Sequence, residues 1–147
     1  MCSRTRRSSA SASRAQERFA ARGYLPIETP TLEVMDVMRA GGRLAGSPFR
    51  FFDARGDLLA MRPDVTLQVA RMTATRLAGQ PGPFRFRYLQ RVFREAEAEM
   101  QAKARELTQM GIECIGEEGP EADAEVVGLL AEALDVAGAR GYTLALA

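Results

Sequence analysis

The stretch Pro83–Glu95, PFRFRYLQRVFRE, decides the fold. It is the longest strand candidate in the chain. Period two places Phe84, Phe86, Tyr88, Gln90, Val92 and Arg94 on one face and Arg85, Arg87, Leu89, Arg91 and Phe93 on the other. Glu106–Gly116, ELTQMGIECIG, reads as a second strand returning beside it. One face of that strand carries Thr108, Met110, Ile112 and Cys114 and is apolar; the opposite face carries Gln109, Gly111 and Glu113 and is not. The charged, glycine-free AEAEMQAKAR, 96–105, joins the two as a loop, and its composition also admits a short helix. Together the two strands predict a long antiparallel hairpin.

Upstream, MRPDVTLQVARMTATRL (Met61–Leu77) opens as a turn and closes as a helix. Asp64 follows Pro63 and is placed to cap a helix that stops at Gly79. Val65, Val69, Met72 and Leu77 form its buried stripe, with Arg71 and Arg76 largely outside it. Before it, PFRFFDARGDLLAM reads as a shorter hairpin turning at DARG. Residues 35–47 read as a flexible connection. YLPIETP is extended, and Pro26 and Pro30 suit it to a sheet edge. A short helix closes at Gly23, and residues 1–14, rich in Ser and Arg, read as a disordered tail. Downstream, EADAEVVGLLAEALDVAGARG is an amphipathic helix with Val126, Leu129, Leu130, Ala133 and Leu134 inward, and YTLALA starts another strand. Strands joined by hairpins predict an α+β fold, a mainly antiparallel sheet with helices packed on one face.

Composition narrows the function classes. The 147 residues fit one domain or a large piece of one. Basic and acidic side chains nearly cancel, 20 against 19, which argues against an extended nucleic-acid surface. Arg85, Arg87 and Arg91 then read as a hydrated or partner-facing edge. No run approaches the ~20 apolar residues of a membrane span. With no histidine and only Cys2 and Cys114, the composition argues strongly against a zinc site, and a Ser-His or Cys-His nucleophile pair cannot be built from this chain alone. Free thiols suit a reducing, cytoplasmic setting.

Several polar residues converge if the long hairpin closes. Gln109 and Glu113 share a strand face with Gly111 between them, where a missing side chain lets a ligand approach the backbone. Arg94 reaches the start of the same surface, and Asp64 and Thr66 enter from a helix N-terminus whose N–H groups are free. Two carboxylates, an amide, a hydroxyl and a guanidinium suit a zwitterion: the acids for an ammonium, the arginine for a carboxylate or phosphate. Taken singly, the same residues also read as a helix cap, a first-turn residue and a solvated strand face.

GYLPIETPTLE, MRPDVTLQVAR, RYLQRVFRE and ELTQMGIECIG, in this order and spacing, resemble the catalytic core shared by class II histidyl-tRNA synthetases and their paralogue, the regulatory subunit of ATP phosphoribosyltransferase. The resemblance covers 15–147. It implies a partial class II synthetase core, incomplete at both ends, and a pocket in which Asp64 and Thr66, assisted by Gln109, hold the ammonium of histidine. Arg94 would face the carboxylate or a phosphate, and Glu113 the imidazole. Synthetases of this family typically carry an acid two residues after the arginine of that hairpin, to read adenine; this chain has Ala96 there. Glycine and arginine expected in the connecting loop are also absent before Arg105. The resemblance therefore implies a non-catalytic regulatory subunit acting in the first step of histidine biosynthesis. It needs no cofactor, takes histidine as effector, and partners a short-form catalytic subunit as a homodimer within a hetero-oligomer. A histidine–tRNA ligase fragment is the alternative, and a small amino-acid-binding or dimerisation module a third.

Overall fold

A computed structural model describes residues 2–42, 47–95 and 105–145. The loop expected at 96–105 therefore lies outside the described residues except for Arg105.

The long hairpin forms as its alternation predicts. Strand β5 (Phe84–Phe93) pairs antiparallel with β6 (Glu106–Ile115) along its whole length, Tyr88 opposite Gly111 and Gln90 opposite Gln109. Strand β1 (Leu25–Pro26) joins the other side of β5 in parallel, an edge position consistent with its proline. Strands β2 (Leu32–Val34), β3 (Arg50–Phe52) and β4 (Leu58–Met61) make a second antiparallel sheet in the order β2-β4-β3. The β3–β4 turn is closed by Asp53, whose Oδ1 accepts the N–H groups of Arg55 and Asp57 at 2.8 and 2.9 Å.

Helices cover both faces of the β5–β6 hairpin, not one. Helices α1 (Cys2–Ala21) and α4 (Pro120–Ala137) lie on the Met110, Ile112 and Cys114 face, where Ala15, Phe19, Tyr24, Leu129 and Ala133 are buried. Helix α3 (Thr66–Arg76) lies on the other face, where Val65 and Val69 meet Tyr88 and Val92. The arginines of the first face are tied down. Arg85 bridges Glu117 and Glu125 at 2.6 and 2.8 Å, and Arg87 donates to Tyr24 O at 3.1 Å and Gln16 Oε1 at 2.8 Å. Arg91 pairs with Glu106.

Four further expectations are corrected. Helix α1 runs back to Cys2, through the segment read as a disordered tail. Ala15 and Phe19, docked on the core, supply the nucleated turns, and alanine and arginine propagate them at little cost. Met35–Ala40, read as a flexible connection, is a short helix, α2, because Met35 and Met38 bury beside Ala60. Leu130, expected inward, is 49% exposed, since the i, i+4 pair Leu129 and Ala133 takes the buried stripe. Tyr142–Ala145 form no strand; Tyr142 Oη instead donates to Ala131 O at 3.3 Å.

One ion pair ties the second sheet to α3. Glu33, on β2, is 7% exposed, and its carboxylate accepts from Arg71, whose side chain stays 41% exposed. Removing the arginine strands a buried carboxylate, whereas neutralising the glutamate leaves a cation that water still reaches. Arg71→Ala is therefore expected to cost about 2 kcal/mol, short of a fully buried pair, and Glu33→Gln distinctly less. Urea unfolding of the two variants checks the order.

Candidate ligand-binding site

The site is assembled where β4 passes the end of β5. Arg62, 6% exposed, donates through Nε to Arg91 O at 2.7 Å and through Nη1 to Thr29 O at 2.5 Å. Its own carbonyl accepts Phe93 N at 2.9 Å. Gln68 and Gln90 fix the neighbouring segment: Gln68 Nε2 donates to Pro30 O at 2.8 Å and Gln90 Nε2 to Ile27 O at 2.9 Å. These bonds satisfy backbone carbonyls of the extended 27–30 segment and of β5. They also hold Pro63 and Asp64 against the start of Arg94, whose Nε donates to Pro63 O at 2.9 Å.

From there each residue singled out by sequence can be placed. Asp64 accepts Leu67 N at 3.3 Å through Oδ1, steadying the first turn of α3 from one residue before the helix-capping position. Thr66, the first residue of α3, donates its hydroxyl to Glu113 Oε1 at 2.7 Å across to β6. Gln109 Nε2 donates to Tyr88 Oη at 3.4 Å, while Gln109 Oε1 is buried without a hydrogen-bond partner among the described residues. Thr66 and Glu113 thus touch, Gln109 bonds to Tyr88 on the facing strand, and Arg94 is linked to Asp64 only through the adjoining Pro63 carbonyl.

Tyr88 is the residue that sequence reasoning missed. Period two does place it on the face of Gln90, and the register sets it opposite Gly111. A Cβ at Gly111 would lie 2.4 Å from Tyr88 Oη and 2.5 Å from its Cζ. The space left by the glycine is therefore filled by the tyrosine ring, not kept open for a ligand to reach the backbone. That is a correction to the sequence reading. The combination of a glycine and a large aromatic at directly opposed positions was the available signal.

The electrostatics follow from this crowding. Burial pushes the Glu113 carboxyl above its ordinary value; the hydroxyls of Thr66 and Tyr88 oppose that shift, and Asp64 adds to it. Burial, with Glu113 and Asp64 nearby, pushes the Tyr88 phenol up to about 12. Two carboxylates and an orphaned amide oxygen make an acceptor-rich site that calls for a ligand bearing N–H groups. Leaving a buried acceptor unpaired costs ~1–3 kcal/mol, which a donor from a ligand would recover. Among the described residues no group of three or more His, Cys, Asp and Glu side chains could hold a metal ion, and no helix is long and apolar enough to cross a membrane.

Comparison with known proteins extends the local geometry. A sequence profile described as histidyl-tRNA synthetase matches residues 2–147. An ATP phosphoribosyltransferase regulatory subunit from Symbiobacterium thermophilum is 40% identical over 131 residues, which cover 87% of this chain and 33% of that protein. The crystal structure of an ATP phosphoribosyltransferase regulatory subunit/histidyl-tRNA synthetase from Bacillus halodurans superposes with a TM-score of 0.82 at 33% identity, over 93% of this chain and 35% of the other. A histidine–tRNA ligase subunit from Alicyclobacillus acidocaldarius superposes with a TM-score of 0.78 at 35% identity, over 95% of this chain and 40% of the other. The chain spans about a third of the length of the curated relatives it matches.

Proposed function

The chain belongs to the histidyl-tRNA synthetase family, and from that premise we propose that it serves as a non-catalytic regulatory subunit of ATP phosphoribosyltransferase, binding histidine in the pocket formed by Asp64, Thr66, Arg94, Gln109 and Glu113. The observation that carries the reading is the acceptor set: Glu113 bonded to Thr66 beside Asp64, with the buried Gln109 Oε1 awaiting a donor. Histidine offers an ammonium and an imidazole N–H to these acceptors and a carboxylate to Arg94. Curated relatives 37–45% identical to the chain carry the regulatory-subunit name, which supports a role without aminoacylation. Ala96 in place of the adenine-reading acid supports it too.

In this reading the subunit is required for the activity of a short-form catalytic partner and conveys histidine feedback to it, as a homodimer within a cytoplasmic hetero-oligomer. Feedback needs histidine to favour one state of the assembly by ~1–3 kcal/mol. The second reading, a histidine–tRNA ligase, draws on the likeness to the Bacillus halodurans protein, which is described as both regulatory subunit and histidyl-tRNA synthetase.

Mixing the chain with a short-form ATP phosphoribosyltransferase separates them. The regulatory reading expects activity that rises on mixing and falls with added histidine; histidine-dependent exchange of pyrophosphate into ATP would overturn it in favour of the ligase. Asp64→Ala is expected to weaken histidine binding by roughly tenfold to a hundredfold, the range for losing a charged hydrogen bond, as calorimetry reads it.

A further inference from the structure

We propose that Arg62 is the positioning residue for the amino-acid end of this pocket: its guanidinium locks the Arg62–Pro63–Asp64 turn to β5 and to the 29–30 segment, and the Pro63 carbonyl held there aims Arg94 at a ligand carboxylate. The inference rests on the histidine-binding reading above and deepens it by naming what orients the carboxylate anchor.

Arg62 is fastened by side chain and backbone together. Its Nε donates to Arg91 O at 2.7 Å and its Nη1 to Thr29 O at 2.5 Å, with Thr29 Oγ1 and Pro30 O each 3.3 Å from the same Nη1. The backbone N–H donates to Thr31 O at 3.0 Å, and the carbonyl accepts Phe93 N at 2.9 Å. Among the described residues, none of the acceptors bonded to the guanidinium is a carboxylate. Burial pulls its pKa below the ordinary guanidinium value, with the Glu28 charge opposing. A cation desolvated without a bonded carboxylate adds little to stability. What it secures is direction.

Little play remains between this anchor and the groups that would meet a ligand. Pro63 is fully buried, its ring fixes its own φ, and it confines Arg62 to extended backbone. The Pro63 carbonyl accepts Arg94 Nε at 2.9 Å, and Asp64 Oδ1 accepts Leu67 N at 3.3 Å. With Nε occupied, Arg94 presents Nη1 and Nη2, neither of which bonds to another described residue. Two parallel donors of that kind match the two oxygens of a carboxylate. The choice of arginine at 62 follows from the same geometry. Lysine keeps the charge but offers one nitrogen in place of the rigid fork that spans Arg91 O and Thr29 O.

The test takes Arg62→Lys and Arg62→Gln, each with two readouts; where one variant does not fold, the other carries both. In nitrogen–proton NMR spectra of the ligand-free chain, the Arg94 Nε–H should exchange slowly with water in the wild type and distinctly faster in the variants. Calorimetry then compares histidine with histamine, which has the same ring and ammonium but no carboxylate. The wild type should prefer histidine, and in the variants that preference should fall by about tenfold. General loosening of the fold weakens both ligands alike and leaves the ratio where it was. An unchanged exchange rate, an unchanged preference, or a wild type that binds the two ligands equally overturns the proposal. Failure of both variants to fold overturns it too, since Arg62 would then serve the fold alone. Wild-type chain that binds neither ligand, with Arg94 exchange accelerated in the variants as stated, ends the histidine-binding reading and leaves the hold of Arg62 on Arg94 standing.

Discussion

Gly111→Ala is expected to destabilise the chain by about 1–3 kcal/mol and to abolish histidine binding in the same step. One methyl group has this reach because of what lies over the glycine. The new Cβ would sit 2.4 Å from Tyr88 Oη and 2.5 Å from its Cζ, closer than side-chain carbons approach other atoms. The obstacle is a buried ring, not the free end of a flexible chain, and Tyr88 packs with Val65, Val69 and Val92. Relief requires the ring to shift towards α3, away from the face that carries Gln109 and Glu113, and the Gln109–Tyr88 hydrogen bond goes with it. A double-mutant cycle isolates the cause. Tyr88→Ala alone is costly, as loss of a buried aromatic usually is, at roughly 3–5 kcal/mol. Adding Gly111→Ala to it should then cost almost nothing, because the clash has gone. Thermal unfolding of the three variants gives the coupling. Full additivity would show that the glycine is needed for some reason other than the tyrosine.

That pairing also marks the boundary of what the sequence makes legible. Period-two alternation in 84–93 and 106–115 sets the faces of both strands, and so predicts that Gln109 and Glu113 share a surface with Tyr88 and Gln90. The polar character of Gln109 and Glu113 against the apolar Met110 and Ile112 identifies which face meets α1 and α4. Alternation says nothing of what fills the space above a glycine, and a ligand and a neighbouring aromatic are equally consistent with it. Tertiary packing decides. The same holds for α1: serine and arginine weigh against order when counted as composition, yet the helix is secured through Ala15 and Phe19, docked against Leu129 and Ala133. Helix α2 was within reach of a sharper reading, since Met35 and Met38 stand at helical spacing. The role of Arg62 was not, because a buried guanidinium satisfied by backbone carbonyls leaves no pattern in neighbouring residues.

Glu113→Gln is expected to move stability and binding in opposite directions. Burial raises the Glu113 carboxyl above its ordinary value, with Asp64 adding to the shift. Between the ordinary and the raised value, the folded chain holds a proton that the unfolded chain has released. The contribution of Glu113 to stability therefore declines as pH rises through that window, and above it the fold carries the whole cost of a desolvated carboxylate. Glutamine, uncharged and of similar shape, still accepts from Thr66 and removes that cost. At pH 7 the variant should be at least as stable as the wild type to urea, and any advantage should vanish once the pH falls below the ordinary carboxylate range. Histidine affinity at pH 7 should drop by roughly tenfold to a hundredfold, because the proposed role makes Glu113 the charged acceptor for the imidazole N–H. Sites kept for binding commonly carry such a penalty, tolerated for function and not for the fold. A glutamine variant that unfolds more readily at pH 7, yet binds histidine as the wild type does, would instead make Glu113 a structural partner of Thr66.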